Sequence, residues 1–129
     1  MRYTRDWPIM SRDAAENIYN VYGEPHEVTP TTLTWFNVGH WKCIIAHRDS
    51  RQHDFPTPHV DCIETVINYR VPPERASEIL MFNGSVSVNR TSGEMSSCCL
   101  NEQTNNLALN LASDIAHYKR SVDDAREYL

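Results

Sequence analysis

Between His47 and Cys62 the chain concentrates side chains that can ligate metals. The stretch HRDSRQHDFPTPHVDC holds three of the six histidines, three aspartates and one cysteine. Neutral imidazole, carboxylate and thiolate are the donors that divalent transition metals select. A strand ending near His47 and another starting at His59, joined by a loop, would bring His47, His53 and His59 together. Asp54, Asp61 or Cys62 would complete the set. No H-E-x-x-H or C-x-x-C spacing accompanies these residues. A polar turn with hydrated histidines is the plainer alternative.

Other residues suggest binding rather than ligation. Trp35, Phe36 and Trp41 flank the turn Asn37-Val38-Gly39 and, with His40, can line a small-ligand pocket. Such residues more often serve as core or turn packing. Glu64 and Arg70 occupy the even positions of a strand whose odd positions are apolar, so both are expected on a face turned away from the core. There they would meet a protein partner or a second copy of the chain. Glu64 and Glu94 are carboxylates within strands, the type of pair that can act as acid and base, or they simply face solvent. Cys98 and Cys99 are neighbours on a strand and point to opposite faces, which predicts one core thiol and one less buried thiol. A nucleophilic cysteine needs a base or a positive field, and no histidine lies near them in sequence.

The cationic side chains are ten arginines and two lysines, Lys42 and Lys119. Arginine forks suit carboxylate and phosphate, but these arginines are scattered along the chain. The net charge of −5 and the pI of about 5.6 exclude a basic footprint for nucleic acid. No dinucleotide, P-loop or nucleophile-elbow motif is present, and four glycines leave little for a phosphate-cradling loop.

These residues need elements to position them. Helix 1 is expected over about Arg12 to Tyr22, capped by Ser11 or Asp13, with Asp13 and Glu16 as a reciprocal capping pair. Gly23 and Pro25 end it. A first strand spans about Glu27 to Phe36, interrupted by Pro30. A second, Trp41 to Arg48, is apolar on both parities, as in a central strand. A polar loop, Asp49 to Pro58, is closed by Pro56 and Pro58. In the third strand, about His59 to Val71, Ile63, Thr65, Ile67, Tyr69 and Val71 form the core face, and Cys62, Glu64, Val66, Asn68 and Arg70 the wet face.

Pro73 opens helix 2, about Pro73 to Phe82, with Ala76, Ile79 and Leu80 as its buried stripe. Ser85 to Thr91 and Glu94 to Leu100 form a hairpin about Ser92-Gly93. Helix 3, about Glu102 to Lys119, is capped by Asn101 and buries Leu107, Ala108, Leu111, Ala112 and Ile115. Ser121 and Asp124 cap a short last helix, about Val122 to Leu129.

With 129 residues, the sequence predicts a single α+β domain over 1–129, with a loosely ordered lead-in at 1–10 anchored by Trp7. The order is α-β-β-β-α-β-β-α-α, with about five antiparallel strands covered mainly on one face by helices 1 and 3. The opening residues lack the apolar core of a signal peptide, and no stretch approaches the roughly 18 apolar residues of a membrane span. A cytoplasmic protein with reduced thiols is therefore expected. Three roles remain open on sequence: an interaction or accessory protein using the exposed sheet face, a protein or small enzyme holding a divalent transition metal in the His47–Cys62 segment, and a small-ligand binder near Trp35 and Trp41.

Overall fold

The computed structural model describes the backbone of residues 1–53 and 59–129 and the side chains of residues 1–50 and 60–129. Asp54, Pro56 and Pro58 lie outside the described residues. The described elements are, in order, α1 (Ile9–Tyr22), β1 (Glu27–Val28), β2 (Thr32–Phe36), β3 (Cys43–His53), β4 (His59–Asn68), α2 (Ala76–Phe82), β5 (Val86–Asn89), β6 (Glu94–Cys99), α3 (Glu102–Ala116) and α4 (Val122–Arg126). The fold class is α+β, and the antiparallel sheet has six strands in the order β1-β2-β3-β4-β6-β5. The sixth strand comes from Pro30. It has no N–H to give a ladder, so the first expected strand is broken into β1 and β2. The Thr29 hydroxyl accepts from the amides of Thr31 at 3.3 Å and Thr32 at 2.9 Å, which closes the turn between them.

α1 starts before the Ser11 and Asp13 caps that the sequence suggests. Pro8 holds the N-cap position without a side-chain cap, and its carbonyl accepts the first helical bond from Arg12 N at 2.9 Å. Ser11 Oγ donates to the same carbonyl at 3.1 Å, so the expected Asp13–Glu16 capping pair is not used. The lead-in is docked: Trp7 is buried and its Nε1 donates to Pro30 O at 3.3 Å.

At α3, Asn101 caps as expected, accepting from Thr104 N at 2.8 Å. The helix ends at Ala116, three residues short of Lys119, and Tyr118 turns to a φ of +60° just beyond it. Its buried stripe includes Leu109 in place of Leu107, which is 40% exposed. In α2, Ile79 and Phe82 are buried while Leu80 is half exposed. Ser121 Oγ accepts from Asp124 N at 3.1 Å and starts α4.

α1 lies over β3 and β4, and α3 over β4, β5 and β6. Both helices cover the same side of the sheet. One covered row runs Trp35, Ile44, Thr65, Ser97, Val86, and another runs Leu33, Ala46, Ile63, Cys99. All nine side chains are buried. The β3–β4 ladder is not continuous. Ala46 pairs with Ile63 and Arg51 with Asp61, so residues 47–50 of β3 form a bulge opposite Cys62.

Candidate interaction surface

Directly opposed residues of an antiparallel ladder share a face, so the same register defines the other side of the sheet. Its first row is Glu27, Thr34, Ile45, Glu64, Cys98, and its second is Phe36, Cys43, Val66, Ser96, Ser87. None of these residues lies beneath a helix. All are half-buried or exposed except Val66, which is 9% exposed. Two of the expected wet-face residues, Cys62 and Val66, are therefore buried. Cys62 stands opposite the β3 bulge, and Val66 lies between Cys43 and Ser96 on the neighbouring strands. Val66 is thus buried by its own strand neighbours, whereas Cys62 belongs to the main hydrophobic core.

Charge on this face is matched. His47, which opposes Thr32 in the ladder, brings Nε2 to 3.0 Å from Glu64 Oε1. Lys42 pairs with Glu94 at the far end, where Ser92 Oγ also donates to Glu94 Oε1 at 3.0 Å. Lys42 chiefly, with Ser92, holds the Glu94 carboxyl below its usual range. Glu94 is thus engaged by a cation and a hydroxyl. Burial, with help from the Glu64 charge, pushes the Cys43 thiol up, which keeps it protonated at neutral pH and a weak nucleophile.

The remaining candidates fall elsewhere. Trp35 is fully buried on the helix side, and its Nε1 donates to Gly23 O at 2.9 Å. Trp41 is also buried, and its Nε1 donates to Glu102 Oε1 at 2.7 Å. Tyr22 OH donates to the same oxygen. Burial first, and then the bond to Glu102, raises the Tyr22 hydroxyl to about 12. Gly39 makes room for this arrangement: at its φ of +57°, an added Cβ would come within 2.9 Å of the Tyr22 hydroxyl. The His40 ring lies tilted against Trp41 with centroids 4.0 Å apart, and its Nε2 meets Asn106 Oδ1 at 3.1 Å. A depression of about 480 Å³ lies beside Trp41, bordered by Asn37, His40, Lys42 and Asn68. Arg70 lies beyond the end of β4, against Gly93.

The members of the proposed metal set separate in part. His47 engages Glu64. Asp61 is buried, and its Oδ2 accepts from Ser85 Oγ at 3.0 Å. Cys62 is fully buried, and burial, reinforced by Asp61, raises its thiol to about 11. The register sets His53 directly opposite His59 at the backbone level. Among the described residues, no group of three His, Cys, Asp or Glu side chains can hold a metal ion, and no helix is long and apolar enough to cross a membrane.

Sequence reasoning missed Cys43, Ile45 and Cys98 as partners of Glu64. The signal was present in the second strand, whose apolar residues occupy both parities, but only the register reveals which set faces outward. It also missed Glu102, which doubles as first residue of α3 and as acceptor for Trp41 and Tyr22. Comparison of the chain with protein-family models, curated proteins and solved structures gives no significant match.

Proposed function

We propose that the chain is a non-catalytic interaction protein that pairs with a second copy of itself through the uncovered face of its sheet. The observation that carries this reading is the composition of that face. Its two central rows hold Ser, Thr, Cys, Val, Ile and Phe with two carboxylates, Glu64, which has His47 beside it, and Glu27 at the outer edge on β1. The chain as a whole carries a charge of −5, so most other surfaces would repel a second copy. Like charges set against each other oppose association, and this face largely avoids them.

Strands lie about 4.8 Å apart and rise roughly 3.4 Å per residue, so six strands over five residues would span about 500 Å², below the roughly 800 Å² per partner of a standard interface and in the range of a weak, transient one. Sheets pack face to face at about 10 Å when the facing side chains are small. A two-fold axis lets the same patch serve both partners.

The test is sedimentation velocity on the wild-type chain, Ile45→Lys and, as a control on the exposed surface of α1, Val21→Lys. The reading expects a dimer for wild type and Val21→Lys and a folded monomer for Ile45→Lys. A wild-type monomer, or a dimer indifferent to Ile45→Lys, would reject it.

A second reading rests on the His53–His59 register pair. Directly opposed residues are neighbours across the two strands, and imidazole is a donor that divalent transition metals select. Metal analysis of the purified chain beside His53→Ala and His59→Ala tests it. Metal content that both substitutions leave unchanged rejects it.

A further inference from the structure

We propose that Arg70 and Arg90 form a two-point binding site for the phosphate group of a small phosphorylated molecule. The two arginines come from different segments and line one cleft. Arg70 follows β4, and Arg90 lies in the turn between β5 and β6. The cleft has a volume of about 330 Å³ and is completed by Val71, Pro72 and Pro73, within the size range of small-molecule sites. No carboxylate lines it. Among the described residues, neither guanidinium makes a hydrogen bond or an ion pair. In a chain of net charge −5, two arginines on one cleft wall, without an acidic neighbour there and unpaired among the described residues, make a local positive site.

The backbone holds Arg70 in place. Gly93, at a φ of +72°, lies so close that an added Cβ would meet Arg70 Cγ and Cζ at 3.1 Å. Tyr69 N donates to Gly93 O at 2.8 Å and ties the end of β4 to the turn. Asn89 Oδ1 accepts from Ser92 N at 3.1 Å and shapes the same turn around Arg90. The site is therefore built on a hairpin corner, with both arginines attached to ordered backbone.

Two guanidinium groups carry two positive charges and paired, planar donors. A phosphate monoester near neutral pH carries close to two negative charges and three acceptor oxygens, and its bonds to arginine are charge-assisted. A carboxylate offers one charge and matches half of the site. Pro72 and Pro73 give an apolar wall on which the organic part of the ligand can rest.

The experiment is an NMR titration that follows the arginine Nε–H resonances of the full chain, with phenyl phosphate, inorganic phosphate and benzoate as probes. Phenyl phosphate should saturate and shift the Arg70 and Arg90 signals. Inorganic phosphate should bind more weakly and benzoate at least tenfold more weakly. Arg70→Gln and Arg90→Gln should each lower phenyl phosphate affinity at least tenfold, with the amide spectrum otherwise retained. Arg70→Lys keeps the charge but loses the fork, and it should also bind more weakly. Gly93→Ala, which keeps both arginines and displaces Arg70, should weaken binding in the same direction. Failure to saturate at concentrations on the order of 10 mM, benzoate binding as tight as phenyl phosphate, or affinity untouched by Arg70→Gln and Arg90→Gln would each overturn the proposal.

Discussion

His47 and Glu64 meet across β3 and β4 with Nε2 3.0 Å from Oε1, on the side of the sheet that no helix covers. The contact joins a residue of the bulge to the central strand at the middle of the open face. If a second copy covers this face, the pair becomes desolvated, and removing one partner leaves the other buried without compensation. Glu64→Ala should therefore weaken self-association by about tenfold or more, equivalent to about 1.4 kcal/mol. The dilution dependence of the sedimentation coefficient measures this directly. Thermal unfolding of the separated monomer should change little, because an exposed pair contributes roughly 0–1 kcal/mol.

The four thiols should react in two classes. Cys62 and Cys99 are buried, and burial raises both thiols, Cys62 to about 11. They should resist alkylation until the chain unfolds. Cys43 and Cys98 are half-buried on the open face, so they should react in the monomer and be protected in the dimer. Mass spectrometry of alkylated protein across a dilution series distinguishes the classes. Equal modification of Cys43 and Cys98 at all concentrations would mean that the face stays open.

Glu102 couples three elements: α3, the β2–β3 turn through Trp41, and the end of α1 through Tyr22. Glu102→Ala leaves the buried indole N–H of Trp41 without its acceptor, and it should cost about 1–3 kcal/mol in urea denaturation.

Tyr22 adds a pH signature. Its hydroxyl is raised from 10.0 to about 12 in the folded chain, so folding favours the protonated form. This contribution is fully present below pH 10 and is lost as pH rises from 10 to 12. Wild type should lose stability through that window more steeply than Tyr22→Phe, as measured by denaturation at a series of alkaline pH values. Parallel curves would mean that Tyr22 does not couple to folding.

Thr65 lies fully buried under the helices, and its hydroxyl has no hydrogen-bond partner among the described residues. Thr65→Val keeps the shape and removes the unsatisfied group. Stability should stay the same or rise by about 1 kcal/mol, a direction opposite to that of most core substitutions. A clear loss in urea denaturation would show that the hydroxyl is satisfied in solution.

The fold was legible where local chemistry is decisive. Asn101 and Ser121 are side-chain caps and mark the starts of α3 and α4. Pro73 begins the turn into α2, and the alternation of Ile63, Thr65 and Ile67 identifies the inner side of β4. Where a backbone group replaces a side-chain signal, the sequence misleads: the Pro8 carbonyl starts α1 in place of Ser11 or Asp13. Pro30 was visible as an interruption, but its division of one strand into two depends on the Thr29 turn. The open face itself was anticipated through Glu64, but its composition was not. Cys43, Ile45 and Cys98 join Glu64 only through the register of three strands, and register is a long-range property. Arg90 escaped notice because a turn arginine acquires meaning only once Arg70 is folded against Gly93.

Sedimentation velocity on the wild-type chain and Ile45→Lys, over a range of concentrations, tests the central claim most directly. The expected result is a wild-type species at twice the chain mass of 14.9 kDa and a folded Ile45→Lys species at the single-chain mass. A wild-type monomer at every concentration, or a dimer that Ile45→Lys leaves intact, would contradict it.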